Sequence, residues 1–373
     1  MEANIPKSEA SLLAWTVDWL SERLPESWNL ELRVESPEGP ERADGRIFLQ
    51  AGAFTASIAV EARRSLTPRE AENLLPRLAQ VLHSMTGNAP VLVVAPWLSA
   101  RTQELLAQQG INYIDRTGNA LIKLDSPAVY IETVGSSRNP APPERGKVRL
   151  RGAKAGRLLR VLIDVQPPYV LKELSEATGL APGYVSRLLD ALDREALIER
   201  MPRGPVTAVD VVGLLRGWAA SYDVFRTNRL ATFIASTSWS RLLDRIAADP
   251  GVRSQIVITG SVAATRLAPV AAPAMLLAYS SEPERIAEEL GLLPADEGAN
   301  VGFLVPFDPV VGAGTTGEAG LRFAAPSQVA VDCLTGNGRM PAEGEAVLEW
   351  MSRSEPQWRG SELGSWAQRW ARV

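Results

Sequence analysis

Few side chains in this sequence could carry out chemistry, and the most suggestive are two acids and a base in its N-terminal part. Asp44 precedes a strand-like run, and Glu61 and Arg63 close the next such run with one residue between them. Carboxylates at the ends of neighbouring strands can hold a divalent metal ion that activates water. A lysine usually orients that water, and an arginine stays charged and cannot easily do so. Asp44, Glu61 and Arg63 are therefore candidate residues for a magnesium-dependent nuclease, although we expect an inactive fold.

The rest of the composition excludes most other catalytic classes. The 373 residues include one histidine, His83, and one cysteine, Cys333. A single histidine cannot form a histidine cluster for a metal ion, and a single cysteine can form neither a disulfide framework nor a cysteine-based zinc site. These absences remove most hydrolase chemistry and leave carboxylate–magnesium chemistry, nucleotide chemistry or no catalysis. Of these we predict the last, with no bound metal and no cofactor.

The sequence lacks the segments that would carry it into or across a membrane. No apolar run reaches the roughly 18 residues that a membrane-spanning helix needs. The N-terminal residues carry acids early and do not follow the basic-then-apolar order of a secretory signal. We expect a cytoplasmic protein without membrane contacts.

Charge is unevenly distributed along the chain. The whole sequence has a net charge of −4, but Arg145 to Arg203 holds twelve bases and seven acids, a local charge of +5. The remainder therefore carries −9. A basic segment inside an acidic protein favours a local site for a polyanion over a generally adhesive surface.

The first part of the chain has an alternating pattern of strands and helices. LELRVES, GRIFLQA and TASIAVEA are strand-like, a helix is predicted from Pro68 to about Ser84, and VLVVAP is typical of a buried strand. A further helix from Ser99 to Gln109, ended by Gly110, precedes the strand INYID. This order of strands around Glu61 is similar to that of restriction-type nucleases.

The basic segment is predicted to form three short helices and a hairpin. Pro167 and Pro168 end the first helix, Gly179 ends the second, and the third has a core stripe of Val185, Leu188, Leu189 and Leu192. Two strand-like runs then flank Pro202–Pro205. Two helices joined by a tight turn and followed by a hairpin are typical of a winged helix-turn-helix.

The phrase VLKELSEATGLAPGYVSRLLDALDREALIER resembles the winged-helix domains of bacterial transcription regulators. The resemblance implies that the third helix enters the major groove and that the wing touches phosphate or the minor groove. Arg187 is the best candidate base reader, since a guanidinium can bind guanine bidentately. The predicted DNA-binding residues are Lys154, Arg157, Gly183, Tyr184, Ser186, Arg187, Arg200 and Arg203. A winged helix used for protein contact is the alternative.

The C-terminal part contains a Gly-Ser turn between a strand and a helix, at Gly260 and Ser261. Nucleotidyltransferases hold a triphosphate at such a helix N-terminus and need two aspartates on the next strand for metal ions. That strand, Ala274 to Ser280, contains no acid. We therefore expect a degenerate nucleotidyltransferase-like fold that transfers no nucleotide.

Three longer phrases carry a family resemblance. VITGSVAATRLAP, GANVGFLVPFDPVV and APSQVAVDCLTGNGRMPAEGEAVLEWM, behind a winged helix, resemble the AbiEi-type antitoxin and regulator family of actinobacteria over roughly residues 85–358. The resemblance implies a DNA-binding autorepressor whose C-terminal region contacts a partner or acts as an antitoxin. This chain departs from the family plan by having a large domain before the winged helix.

Together these patterns predict an α/β and α+β multidomain chain. The expected divisions are a degenerate restriction-endonuclease-like domain (1–135), a linker (136–150), a winged helix-turn-helix (151–210), a linking helix that could form a dimer contact (211–239) and a degenerate nucleotidyltransferase-like domain with a helical C-terminus (240–373).

The leading functional hypothesis is a sequence-specific transcription regulator, a repressor acting as a homodimer on double-stranded DNA. The alternatives are a magnesium-dependent nuclease and an antitoxin that binds a toxin or effector protein.

Overall fold

Runs of aliphatic residues become the central strands of a sheet in the N-terminal part of the chain. The computed structural model describes residues 9–34, 43–84, 90–137, 139–140, 150–201, 204–364 and 366, with the backbone alone at 77, 79–84 and 239. The chain divides into two compact units, Met1–Gly146 with Arg194–Ala196, and Lys147–Asp193 with Leu197–Val373. Both units mix helices with strands, which confirms the predicted α/β character.

The first unit is one seven-stranded sheet with helices on both faces. Strands β3, β4 and β5 are parallel, and the other neighbouring pairs are antiparallel. The strands lie in chain order: β1 (Asn29–Val34), β2 (Gly45–Ala51), β3 (Phe54–Ala62), β4 (Val91–Ala95), β5 (Asn112–Asp115), β6 (Ala120–Asp125) and β7 (Ala128–Thr133). The helices are α1 (Glu9–Ser21), α2 (Pro68–Ser84) and α3 (Ala100–Gln108).

The two faces of this sheet have separate apolar cores. On one face, α1 packs Leu12 and Leu20 against strand residues such as Val60. On the other, Leu106 of α3 and the described apolar side chains of α2 cover Val93. The second half of β3 is buried because both faces are covered there. Glu61 therefore lies inside the fold, at the edge where the parallel strands end.

The second unit begins with three helices and a hairpin. These elements are α4 (Ala153–Asp164), α5 (Leu171–Thr178), α6 (Pro182–Arg194), β8 (Ile198–Arg200) and β9 (Val206–Val209). Tyr169, between α4 and α5, forms an antiparallel bridge with Val206 of β9. The connection between the first two helices therefore pairs with the outer side of β9 through this one residue.

A second seven-stranded sheet follows, with the strand order β13-β10-β14-β12-β11-β16-β15. The neighbours β12 and β14 are parallel, as are β11 and β16. Its strands are β10 (Arg229–Ile234), β11 (Val257–Thr259), β12 (Leu276–Tyr279), β13 (Leu293–Pro294), β14 (Val301–Val305), β15 (Thr316–Glu318) and β16 (Leu321–Phe323). The accompanying helices are α7 (Val211–Ala219), α8 (Val224–Thr227), α9 (Trp239–Ala248), α10 (Pro250–Arg253), α11 (Gly260–Leu267), α12 (Pro283–Glu289), α13 (Pro326–Leu334), α14 (Met340–Arg353) and α15 (Glu355–Trp358).

One continuous apolar core joins the three-helix segment to the second sheet. It runs from α4 and α6 through Leu214, Leu215 and Trp218 of α7 to the strands and to Trp366. The apolar face of α7 is therefore used inside the unit, and a dimer through this helix would have to use its other face. Across the described ranges, no helix is long and apolar enough to cross a membrane.

Candidate nucleic-acid interface

Helix α6 separates its apolar and polar residues onto opposite sides. The residues that face the core are aliphatic and buried: Val185, Leu188, Leu189 and Leu192. Those on the other side are small or charged and exposed: Gly183, Arg187, Asp190 and Arg194. Gly179 caps α5 with φ +65°, a left-handed conformation that suits glycine. The turn that follows leads into α6, whose N-terminal end lies at the surface.

The first two turns of α6 bring together four of the predicted DNA-binding residues, Gly183, Tyr184, Ser186 and Arg187. Tyr184 and Ser186 are half-buried, and the other two are exposed. The Arg187 guanidinium lies beside Gly183, since a β-carbon added to Gly183 would be 3.8 Å from Arg187 Nη1. Burial raises the pKa of the Tyr184 hydroxyl, and the nearby charge of Arg187 opposes that effect. Within the described residues no carboxylate pairs with Arg187, which leaves its guanidinium available to a ligand.

The other predicted bases have different environments. Lys154 is exposed near the start of α4. Arg157 binds the buried Asp308 through Nε, at 3.2 Å from Oδ1 and 3.0 Å from Oδ2, and through Nη2 at 2.9 Å from Oδ2. Arg200 forms an ion pair with Asp190. Both arginines are therefore already neutralised by carboxylates, and Arg203 lies outside the described residues.

Sequence reasoning missed the role of Arg160, which it counted only as part of the basic segment. This side chain is fully buried. Its Nε and Nη2 donate to Asp164 Oδ2 at 3.0 and 2.8 Å, and Nη1 donates to the Gln328 side chain at 3.0 Å. Two backbone carbonyls, of Val310 and Ala313, accept from the remaining donor positions. Arg160 thus joins α4 to segments that lie about 150 residues further along the chain.

The three residues considered for nuclease chemistry do meet in the first unit. Arg63 forms an ion pair with Glu61, and its Nη1 lies 3.6 Å from Asp44 Oδ2. The same Asp44 oxygen accepts a hydrogen bond of 2.8 Å from the backbone nitrogen of Ala62. Glu61 is 1% exposed, so its charge needs a partner inside the protein. The guanidinium occupies the space between the two carboxylates that a metal ion would need.

No set of three or more acidic, histidine or cysteine side chains among the described residues could hold a metal ion.

A carboxylate lies at the Gly-Ser turn of the second unit. Ser261, in the first turn of α11, donates from Oγ to Glu343 Oε2 at 2.5 Å. Glu343 is almost fully buried. The partial positive charge of a helix N-terminus attracts anions, and here Glu343 supplies that anion from within the chain.

A buried aspartate lies at the centre of the second unit. Asp332 accepts hydrogen bonds from four neutral groups: Thr259 at 2.6 Å, Tyr222 and Tyr279 at 2.9 Å, and Gln328 at 2.8 Å. The desolvation that accompanies burial raises its pKa from 3.8 to about 6. Burial also raises the pKa of both tyrosines well above 10, so they remain donors.

Comparison with known proteins adds no assignment. No family model matches the chain, and no curated protein or solved structure matches it. The arrangement of exposed and neutralised charges is therefore the main basis for inferring function.

Proposed function

We propose that this chain is a sequence-specific regulator of transcription that binds double-stranded DNA through a winged helix. The order of elements supports this, because α4, the Tyr169 bridge, α5, α6 and the β8–β9 hairpin follow one another as in a winged helix-turn-helix. The observation that carries the proposal is the exposed N-terminal end of α6. Its Arg187 guanidinium has no carboxylate partner within the described residues, whereas Arg157 and Arg200 do.

We propose that this end of α6 enters the major groove. Arg187 would bind the O6 and N7 atoms of a guanine with two parallel hydrogen bonds. Gly183 has no side chain to hold the DNA away from the helix. The hydroxyls of Tyr184 and Ser186 would donate to phosphates, and Lys154 on α4 would add a phosphate contact that does not depend on sequence. Arg203, which follows β8 in the sequence, would make a further contact of this kind.

We propose that the two flanking α/β folds have no catalytic role. Arg63 forms ion pairs with both Asp44 and Glu61 in the first unit, and Glu343 binds Ser261 at the helix N-terminus in the second. A metal ion would have to displace the positive charge of Arg63 from the two acids. A phosphate would have to displace the negative charge of Glu343 from the helix N-terminus. This supports a regulator, and the flanking folds would serve partner or signal recognition.

The remaining expectations are part of the same proposal. A repressor of its own gene, related to the AbiEi-type regulators, would bind a two-fold operator as a homodimer in the cytoplasm. A toxin or effector protein would be its partner at the C-terminal fold. Co-purification with the product of the neighbouring gene would identify such a partner.

The proposal is tested by fluorescence anisotropy with the DNA upstream of the gene and with a random duplex, over a series of salt concentrations. We expect a preference for the upstream DNA that persists at physiological salt. Arg187→Ala should weaken binding to the preferred duplex by about 1–3 kcal/mol and relax selectivity at one base pair. Arg194→Ala, at the other end of α6, is the matched control and should leave selectivity unchanged. Equal affinity of the wild type for both duplexes would contradict the proposal.

The nuclease alternative has its own assay. Supercoiled plasmid incubated with the protein and Mg²⁺ or Mn²⁺ should remain uncut, because Arg63 lies between Asp44 and Glu61. If the wild type cleaves the plasmid and Glu61→Ala does not, the proposed regulator function is wrong and the protein is a nuclease.

A further inference from the structure

A short C-terminal segment crosses the connection between α4 and α5. We call residues 359–364 with Trp366 the C-terminal strap. The Gly360 nitrogen donates to the Asp164 carbonyl at 2.8 Å, and the Gln166 nitrogen donates to the Gly360 carbonyl at 2.7 Å. Gly360 also forms a parallel bridge with Val165. The strap is therefore paired with the backbone that leaves α4.

Two side chains fasten the strap on either side of an exposed stretch. The Arg359 side chain is 5% exposed, and its Nη2 donates to the Leu162 carbonyl at 3.0 Å. Trp366 is 1% exposed, and its Nε1 donates to Asp164 Oδ2 at 3.1 Å. Between them, three of the four residues from 361 to 364 are exposed. The fourth, Leu363, packs against the apolar core, so the strap is held by the Arg359 and Trp366 side chains, by the Gly360 backbone and by this contact.

The backbone under the strap also positions the DNA-reading part of the fold. Tyr169 donates its hydroxyl to the carbonyls of Leu162 and Val165, at 3.2 and 3.0 Å. The same tyrosine pairs with Val206 of the hairpin through two backbone hydrogen bonds. Asp164, which receives the Trp366 indole, is also the partner of Arg160. The strap and the hairpin thus meet at one short connection, from which α5 and then α6 follow.

We propose that the C-terminal strap is a conformational lever for DNA recognition. When fastened, it fixes the α4–α5 connection and hence the orientation of α6. When released, the connection gains freedom and specific binding weakens, while phosphate contacts that any sequence can make are kept. This inference rests on the proposed DNA-binding function. Because coupling between two sites is reciprocal, specific DNA would also hold the strap more firmly.

Two tryptophans of the full-length chain provide a matched pair for the test. Trp366→Phe removes the indole N–H that binds Asp164 and keeps an aromatic ring. Trp358→Phe removes an indole N–H that donates to the Met351 carbonyl of α14 at 2.9 Å. The assay is anisotropy with a duplex selected by the wild type from a random library, and with an unselected duplex. We expect Trp366→Phe to reduce the affinity ratio about fivefold or more, and Trp358→Phe to leave it unchanged.

Hydrogen exchange supplies a readout that needs no DNA. At a temperature well below the melting transition of each variant, amides in peptides from Leu171 to Arg194 should exchange faster in Trp366→Phe than in Trp358→Phe. Equal exchange in the two variants, or an unchanged affinity ratio in Trp366→Phe, would overturn the lever. If the wild type selects no duplex, the proposed function fails, and the exchange comparison alone decides whether the strap orders α5 and α6.

Discussion

The buried carboxylate of Asp332 makes the stability of the second unit depend on pH in a direction that can be worked out. Its four hydrogen-bond donors are neutral, and the nearest arginine contact runs through Gln328, which binds both Arg160 and Asp332. Burial without a direct cation disfavours the charged form, which is why its pKa rises from 3.8 to about 6. In the unfolded chain the group would return to its ordinary pKa.

The sign follows from proton linkage. A group with a raised pKa in the folded state holds its proton more tightly when folded. Its contribution to the free energy of unfolding is therefore fully present below about pH 3.8 and is lost as the pH rises through about 6. The whole loss amounts to about 3 kcal/mol, of which about 2 kcal/mol falls between pH 4.5 and 7.5. Asp332→Asn cannot titrate. Its unfolding free energy relative to wild type should therefore improve by about 2 kcal/mol from pH 4.5 to pH 7.5.

The single cysteine supplies the assay. Cys333 is fully buried beside Asp332, so its reaction with 4,4′-dithiodipyridine across a urea series reports unfolding of the second unit alone. Asp308→Asn is the control, because it breaks a buried ion pair with Arg157 and should destabilise the unit at pH 7.5 by about 3 kcal/mol. If the difference between Asp332→Asn and wild type stays constant with pH, or changes with the opposite sign, the four hydrogen bonds outweigh desolvation and the reasoning is wrong.

Three further predictions concern buried charges and the thiol. Arg160→Met should destabilise the second unit by about 3–5 kcal/mol in urea unfolding, because it leaves Asp164 without its cation; a loss below 1 kcal/mol would contradict this. Burial raises the pKa of the Cys333 thiol well above 9, so the native protein should not react with maleimide at pH 7.5, and rapid labelling would show an open core. Arg63→Met should lower the melting temperature of the first unit by calorimetry, since Glu61 loses its ion-pair partner, whereas Arg64→Met, at an exposed position, should not.

Local patterns predicted the elements well. The helix expected from Pro68 to Ser84 is α2 (Pro68–Ser84), and the buried run from Val91 is β4 (Val91–Ala95). Gly110 and Gly179 end helices with positive φ, as glycines after a helix are expected to do. These features depend on spacing and chain conformation within a few residues, which the sequence displays directly.

The partners of the charged residues could not be predicted in this way. Arg157 and Arg160 look like solvated bases of a helix. Arg157 binds Asp308, and Arg160 binds both Asp164 on its own helix and the Val310 carbonyl, so each arginine has an acceptor about 150 residues away in sequence. The Gly-Ser turn at Gly260 is recognisable, yet the carboxylate of Glu343 that binds Ser261 comes from 82 residues further on. Hydrogen bonds of this kind require tertiary contacts that no local periodicity encodes.

The basic character of the central segment is consequently smaller at the surface than in the sequence. Arg160 and Arg200 bind Asp164 and Asp190, whose charges the local sum of +5 already includes. Arg157 binds Asp308, which lies outside the segment, and this pair lowers the sum to +4. A base that is already paired releases few counterions when it meets DNA, so it adds little to non-specific affinity. The proposed base contact is affected less, because Arg187 has no carboxylate partner within the described residues. Under the proposed function, these internal ion pairs predict weak general affinity for DNA and a preference that depends on a few contacts of α6.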